Sequence, residues 1–136
     1  HVTDVDPDML ERAQRALSPF GSRAEVSRAD AADLPFDDYQ FDVVLSFGML
    51  HHVPNRRRAL SEAVRVLRPG GWLVGYDLLD TAMARSVHRA VETGPLTAYG
   101  QAEVEHELAR LPLTQLACRA AAGRAVVRFS AWKAPK

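Results

Sequence analysis

Hydrophobic residues along the chain follow two patterns, one with helical spacing and one of short continuous runs. Met9, Ala13 and Leu17 recur every four residues behind Asp6-Pro7, an N-cap followed by a proline at the first helical position. This spacing predicts a first helix. The residues before it, His1 to Asp4, have the pattern of the last part of a strand.

A compact apolar run and a second helical pattern follow. Phe41 to Ser46 (FDVVLS) is rich in β-branched residues and predicts a parallel strand that is buried on both faces. Asn55 can cap the next helix, in which Leu60 and Val64 share one face and which Pro69-Gly70-Gly71 is expected to end. The opposite face is expected in solvent and carries Arg57, Arg58, Glu62 and Arg65.

The remaining elements complete an alternation of strands and helices. The pattern predicts a short strand over Ala24 to Ala29, a loop over Asp30 to Asp38, a strand over Trp72 to Asp77, and helices over Thr81 to Glu92 and Gln101 to Leu111. The last two runs, Leu113 to Arg119 and Ala125 to Trp132, are joined by too few residues for a crossover helix, so they predict an antiparallel hairpin.

This order predicts an α/β fold with a Rossmann-like open sheet, mostly parallel, with helices on both faces and a C-terminal antiparallel hairpin. The 136 residues, 47% of them hydrophobic, fit one domain over 1–136, in which residues 78–112 are a candidate substrate cap. In open sheets of this kind ligands bind at the carboxyl ends of the strands. Candidate chemistry is therefore sought at those ends.

The charge balance limits the classes of partner. Seventeen basic residues offset seventeen acidic ones, so neither nucleic acid nor an anionic membrane is expected as a partner, and a small molecule is. The single cysteine, Cys118, excludes an internal disulfide and is expected to be a buried structural thiol. The sequence contains neither an apolar run of membrane-spanning length nor a signal peptide, which predicts a cytoplasmic protein.

Two acidic residues stand where strands end. A carboxylate at Asp4 can accept hydrogen bonds from both hydroxyls of a ribose, although an acid after a strand is more often a turn residue. Asp30, in the stretch DAADLPF, can accept from an adenine amine while the next backbone N–H donates to a ring nitrogen. An acidic turn with apolar neighbours in the core explains the same spacing equally well.

The histidines give a weaker signal. His51 and His52 are adjacent, so they are expected to point apart, and no third ligand at metal spacing accompanies them; no metal site is predicted. His51 is a candidate general base or substrate-positioning group, with a structural histidine as the default. His88 and His106 are expected on helix surfaces. Tyr76 and Asp77, at the end of a predicted strand, either contact substrate or cap a turn.

Four motifs in order make the resemblance specific: TDVDPDML, DAADLPF, FDVVLSFGMLHHV and LSEAVRVLRPGGWLVGYD. Together they resemble the class I, S-adenosylmethionine-dependent methyltransferases that act on small molecules, of the methyltransferase type 11 or UbiE-like kind. The resemblance covers residues 1 to 77, and more loosely the closing run VVRFSAWKAP. It implies a methyltransferase that uses S-adenosylmethionine as cofactor and a small-molecule acceptor as substrate.

The resemblance also implies a set of site residues. Asp4 would hold the ribose, Met9 would pack near the nucleoside, and Asp30 with the amide of Ala31 would contact adenine. Ser46 and Phe47 would face the methionine moiety, and the segment from Gly48 to His52 would line the methyl-transfer pocket, where His51 is the catalytic candidate. The whole assignment depends on Asp4 and Asp30 lying close enough to share one adenosine.

The sequence departs from the family at its start. Family members open with a strand and a glycine-rich loop that are absent here, so the domain is expected to be N-terminally incomplete, with about forty further residues upstream in the parent protein. Without that strand, unpaired strand edges are expected to favour self-association. Two other functions remain open: a non-catalytic methyltransferase-like binding module and an NAD-dependent oxidoreductase, in which Asp4 would hold the nicotinamide cofactor's ribose.

Overall fold

The computed structural model of the chain describes residues 1–91 and 99–135, the side chains at 83, 84, 87 and 91 excepted. Its strands are β1 (Val2–Asp4), β2 (Val26–Arg28), β3 (Phe41–Phe47), β4 (Leu67–Leu78), β5 (Thr114–Ala121) and β6 (Val126–Trp132). Its α-helices are α1 (Pro7–Leu17), α2 (Arg56–Val66), α3 (Ala82–Val91) and α4 (Gln101–Ala109), and short 3-10 turns cover Ser18–Arg23 and Leu50–His52.

The strands form two sheets. β1 and β2 pair in parallel, and the larger sheet has the order β3-β4-β6-β5. β3 and β4 run parallel, while β6 runs antiparallel to both of its neighbours. The α/β class, the parallel strands and the C-terminal antiparallel hairpin are therefore confirmed.

The caps that start the helices follow the sequence. The Asp6 side chain accepts a hydrogen bond from the Asp8 amide at the start of α1, and Asn55 accepts one from the Arg58 amide at the start of α2. Both side chains satisfy amides that have no partner inside the helix. The predicted helix over Thr81 to Glu92 is present as α3, and its predicted last residue lies outside the described part of the chain.

The end of α2 differs from the prediction. The helix ends at Val66 and β4 begins at Leu67, so Pro69-Gly70-Gly71 lies inside the strand rather than after the helix. Leu67 pairs with Phe41 of β3, and this pairing makes the backbone extended before the glycines are reached. Gly70, in the irregular first part of β4, adopts φ +82°, a backbone conformation that glycine accepts without strain.

The two faces of the larger sheet differ. On the inner face, Leu73, Val127 and Phe129 are at most 2% exposed and belong to a core that includes residues of α2 and α4. On the outer face, the described residues leave apolar side chains open to solvent: Val43, Leu45, Phe47, Trp72 and Tyr76, which are 38 to 58% exposed. The prediction that the FDVVLS strand is buried on both faces is wrong for this chain, because within the described residues only the inner face of β3 packs on the core.

The segment predicted as a substrate cap contains two helices in its described part. α4 packs on β5 and on α2, with Val104 and Leu108 buried, whereas three residues separate the start of α3 from the end of β4. Cys118, on β5, is half-buried, and burial raises the pKa of its thiol to about 11. Among the described residues, no helix has both the length and the apolar character needed to span a membrane.

Candidate functional site

The two predicted acidic strand ends lie side by side. The Asp4 carbonyl, at the end of β1, accepts a hydrogen bond from the Ala29 amide at 3.1 Å. Asp30 is the next residue along the chain and therefore lies close to the end of β1. The Asp4 side chain uses Oδ1 to accept the Asp6 amide at 2.9 Å, and Asp30 uses Oδ1 to accept the Ala32 amide at 2.8 Å. Each carboxylate is therefore oriented by a local turn through one oxygen, and the second oxygen is directed away from that bond.

This arrangement fits the adenosine part of S-adenosylmethionine. Two carboxylate oxygens at neighbouring strand ends suit a ribose diol and an exocyclic amine, both of which donate hydrogen bonds. Ser46 adds a second observation: its hydroxyl, at the carboxyl end of β3, is buried and has no hydrogen-bond partner within residues 1–91 and 99–135. A buried polar atom without a partner is rare, and a ligand's polar group would satisfy it.

The loop after β2 is fastened to α2. Glu62, which is 4% exposed, accepts the Leu34 amide at 3.0 Å and two hydrogen bonds from Arg65. Arg65 also donates to the carbonyls of Leu34 and Phe36 and to the Asp38 carboxylate. The expectation that Glu62 lies in solvent is therefore wrong, because its carboxylate satisfies a loop amide and the Arg65 guanidinium together.

The charges in this contact reinforce one another. Hydrogen bonds from Arg65 hold the pKa of Glu62 below its usual value, with the Leu34 amide acting in the same direction, although burial opposes both. The hydrogen bonds that Arg65 donates to the Glu62 and Asp38 carboxylates raise the pKa of Arg65. The ion pair remains charged at neutral pH and fixes the loop that begins at Asp30.

A second contact joins the loop after β2 to the start of α2. Arg58, in the first turn of α2, donates through Nε to the Ala32 carbonyl at 3.1 Å. α2 itself begins four residues after His52, which ends the preceding 3-10 turn. The segment that contains Asp30 and the turn that contains His51 therefore both lie near the N-terminal end of α2.

A buried histidine and aspartate form the second part of the site. Asp77 is fully buried near the end of β4; its Oδ1 contacts His51 Nδ1 and its Oδ2 accepts the Leu50 amide at 2.5 Å. The Leu78 amide donates to Asp77 as well, at 2.7 Å. Asp77 therefore caps the turn and holds the imidazole of His51. The sequence analysis gave substrate contact or turn capping as the roles of Asp77 and did not predict its pairing with His51.

The other predicted site residues are placed around these two groups. Phe47 stacks on Tyr76 with ring centroids 5.1 Å apart, on the outer face of the sheet. Gly48, with φ +61°, turns the chain after β3, and its amide donates to the Tyr76 carbonyl. Met9 lies on α1 and is 46% exposed, so the described core does not use it. Ala31 is partly buried beside the core.

The structure changes the interpretation of the histidines. The ring centroids of His51 and His52 lie 4.0 Å apart. The ring centroid of His88, on α3, lies 5.6 Å from that of His51 and 5.2 Å from that of His52. His88 is 4% exposed, so its predicted surface position is wrong, whereas His106 is exposed as predicted. Sequence spacing gave no third ligand for the pair, but the fold brings His88 beside them because α3 folds back over the turn that follows β3.

Comparisons with known proteins agree with the geometry. The family model described as a methyltransferase domain matches residues 1–75, more than half of the chain. A demethylmenaquinone methyltransferase of Clavibacter sepedonicus is 41% identical over an alignment of 107 positions, and the match covers 68% of this chain and 43% of that protein. A phthiotriol/phenolphthiotriol dimycocerosates methyltransferase of Mycobacterium tuberculosis is 41% identical over 83 residues, 61% of this chain and 31% of that protein.

A solved structure extends the likeness to the whole chain. A SAM-dependent methyltransferase from Thermotoga maritima, described as a possible histamine N-methyltransferase, has a TM-score of 0.72 at 18% identity and covers 96% of this chain and 72% of its own. At that identity the match shows the fold alone. The chain spans less than half the length of the two curated relatives. The matched family model shows that the chain belongs to the methyltransferase-domain family.

Proposed function

We propose that the protein transfers the methyl group of S-adenosylmethionine to a small-molecule acceptor. The observation that supports this most directly is that two sets of polar side chains lie near one end of α2: oriented carboxylates at Asp4 and Asp30, and the buried pair of His51 and Asp77. We refer to Asp4, Asp30 and Ala31 as the cofactor half of the site, and to His51 and Asp77 as the acceptor half.

In the cofactor half, Asp4 would accept from the ribose hydroxyls, and Asp30 with the Ala31 amide would contact adenine. Met9, which is exposed on α1, would cover the nucleoside, while the Ser46 hydroxyl and Phe47 would face the methionine moiety. The local turns that orient both carboxylates favour this role, because the side chains lose little further freedom when a ligand binds.

The cofactor supplies an electrophilic methyl group on a sulfonium, so most of the catalysis required of the protein is alignment of the acceptor. His51 is the residue that we assign to contact the acceptor's nucleophilic atom. Asp77 contacts the ring through Nδ1 and holds its orientation. The burial of both side chains gives this contact a fixed direction.

The names of the relatives guide the class of acceptor. Demethylmenaquinone and phthiotriol dimycocerosates, which appear in those names, are small molecules with large apolar parts. An acceptor of this chemistry would match the apolar surroundings of the acceptor half, where Leu50 and Leu79 are buried. We propose an apolar acceptor with one polar reacting group.

Calorimetric titration with S-adenosylmethionine and S-adenosylhomocysteine tests the cofactor half. We expect both ligands to bind the chain and Asp4→Ala to weaken binding by about tenfold or more, because it removes a charge-assisted contact to the ribose. Asp37→Ala is a matched control, since it removes an exposed carboxylate from the same region. The absence of heat from both ligands with the folded parent chain would favour a binding module of another kind, and binding of NAD instead would favour an oxidoreductase.

A further inference from the structure

Three histidine side chains from two separate elements meet beside the acceptor half. His51 and His52 belong to the 3-10 turn after β3, and His88 lies near the C-terminal end of α3, thirty-six positions after His52 in the sequence. One ring nitrogen from each lies within 4.8 Å of the other two. We refer to His51, His52 and His88 as the histidine cluster.

The geometry of the cluster suits a bound ion. Tetrahedral zinc with Zn–N bonds of about 2.0–2.1 Å requires ligand nitrogens roughly 3.3–3.4 Å apart. The three nitrogens are within about 1.5 Å of that spacing. A small rotation of the His52 side chain, which is the most accessible of the three, changes its distances without disturbing the core. His51 and His88 are buried, so two of the three ligands are already held by packing.

The surroundings of the cluster also favour a cation. Asp77 contacts Nδ1 of His51 from the side opposite to Nε2, the arrangement in which a carboxylate orients a metal-bound histidine and raises its basicity. The carboxylate itself is anchored by the Leu50 and Leu78 amides, so it cannot turn toward the ion and replace a ligand. Three imidazoles with a negative charge behind one of them form a site that favours a divalent cation.

We propose that the histidine cluster binds one divalent transition metal ion of the zinc type, with His51, His52 and His88 as its three protein ligands and a fourth position open to the acceptor. Imidazole nitrogen is a ligand that zinc, copper, nickel and iron accept, and three protein ligands with one open position are typical of catalytic rather than structural zinc. Binding of the ion does not depend on the methyltransferase function. Its use in catalysis rests on the proposed function.

The ion would explain how the acceptor half activates its substrate. An acceptor hydroxyl in the fourth position would lose its proton to solvent water more readily, and the resulting oxyanion would remain on the ion, directed by His51 and its neighbours. His51 would then be a ligand that positions the acceptor through the ion. No oxidant or reductant is involved, because zinc keeps its charge throughout.

Metal titration of the full chain, without an affinity tag and after treatment with a chelator, tests the proposal. We expect one equivalent of Zn²⁺ to bind by calorimetry, and Co²⁺ to give the visible absorption bands of a four-coordinate site. His52→Ala and His88→Ala should each weaken Zn²⁺ binding by about tenfold or more, because each removes one of three ligands. His106→Ala and His1→Ala, which alter histidines outside the cluster, should bind the ion like the parent chain.

A second readout guards against unfolded variants. Zn²⁺ should raise the Tm of the parent chain and of His106→Ala, and this rise should be clearly smaller in His52→Ala at the same Zn²⁺ concentration. His52 is accessible, so this variant decides the matter if His88→Ala fails to fold. Equal Zn²⁺ affinity in the parent chain and in folded His52→Ala would overturn the proposal, as would the absence of Zn²⁺ binding to the folded parent chain. Titration with S-adenosylmethionine in the presence of a chelator separates failure of the ion site from failure of the cofactor half.

Discussion

The cofactor half and the acceptor half are built in different ways. Asp4 and Asp30 are each held by a backbone amide two residues further along the chain. Asp77 accepts from residues that precede it by twenty-six and twenty-seven positions, and His51 depends on it for its orientation. The cofactor half is therefore mostly a product of local turns, and the acceptor half a product of the sheet.

Because of this difference, we expect ligand binding and the stability of the fold to depend on different residues. Removing an exposed carboxylate that accepts one local bond costs the fold little, whereas a fully buried carboxylate with three donors is part of the core. Variants in the cofactor half should mainly affect ligand affinity. Variants in the acceptor half should affect unfolding first, and the four predictions below measure how stability depends on the acceptor half and on the surfaces around it.

Gly75 gives the largest expected effect, because β4 can carry Asp77 into the core only where its backbone passes close to β3 and β6. A Cβ at Gly75 would overlap the Phe129 ring and stand 2.5 Å from the Ser46 carbonyl oxygen. We expect Gly75→Ala to lower the free energy of unfolding by about 3 kcal/mol in urea titrations. Gly100→Ala is the control, since its Cβ would meet nothing closer than 3.8 Å. Equal losses from the two variants would contradict the close approach.

Asp77→Asn should follow with a loss of about 2–3 kcal/mol. The amide nitrogen would face either the Leu50 amide or the His51 ring, so one buried donor would lose its acceptor. Asp42→Asn, at an exposed site paired with Arg68, is the matched control and should change stability little. A stable Asp77→Asn protein would mean that the acceptor half does not depend on this carboxylate.

Glu62→Gln should cost about 1–2 kcal/mol at neutral pH, because it removes the charge that pairs with Arg65 in the contact between the loop and α2. The folded pKa of Glu62 lies below its unfolded value of 4.5, so the stabilisation is complete above that value and is lost as the pH falls below it. The difference between Glu62→Gln and the parent chain should therefore shrink in acid. Glu25→Gln, at an exposed site, serves as the control. A difference that grows as the pH falls would show the opposite linkage.

Leu45→Lys should have the smallest effect on folding, within about 1 kcal/mol, because Leu45 is 58% exposed on the outer face of the sheet. The same change should reduce concentration-dependent association in sedimentation, since it places a charge in a continuous apolar surface. Leu45→Met keeps the surface apolar and should associate like the parent chain. A large loss of stability in Leu45→Lys would show that the outer face is covered in the folded protein.

The sequence predicted the parts of the molecule that short-range patterns determine. Three features depend on neighbours within a few residues and were predicted correctly. They are the helix caps at Asp6 and Asn55, the end of the first strand at Asp4, and the final hairpin. Glu62 was placed in solvent because a charged side chain on a helix usually lies there, but its carboxylate accepts from Arg65 and from the Leu34 amide, twenty-eight positions away. No spacing rule could detect that contact.

The histidine cluster shows the same limit. His51 and His52 are adjacent, and His88 joins them only because α3 turns back after β4. A sequence can reveal ligands on one helix face by their separation, whereas ligands from two elements become neighbours only through the tertiary fold. The pairing of Asp77 with His51 was missed for that reason as well.

The thiol on β5 can report on local unfolding of the C-terminal hairpin. Cys118 is the single cysteine in the sequence, and its raised pKa keeps it in the unreactive thiol form while the hairpin is intact. Alkylating reagents should consequently modify the native molecule slowly and the denatured one quickly. The rate of alkylation, followed by mass spectrometry, would time the separation of β5 from β6 without any introduced label.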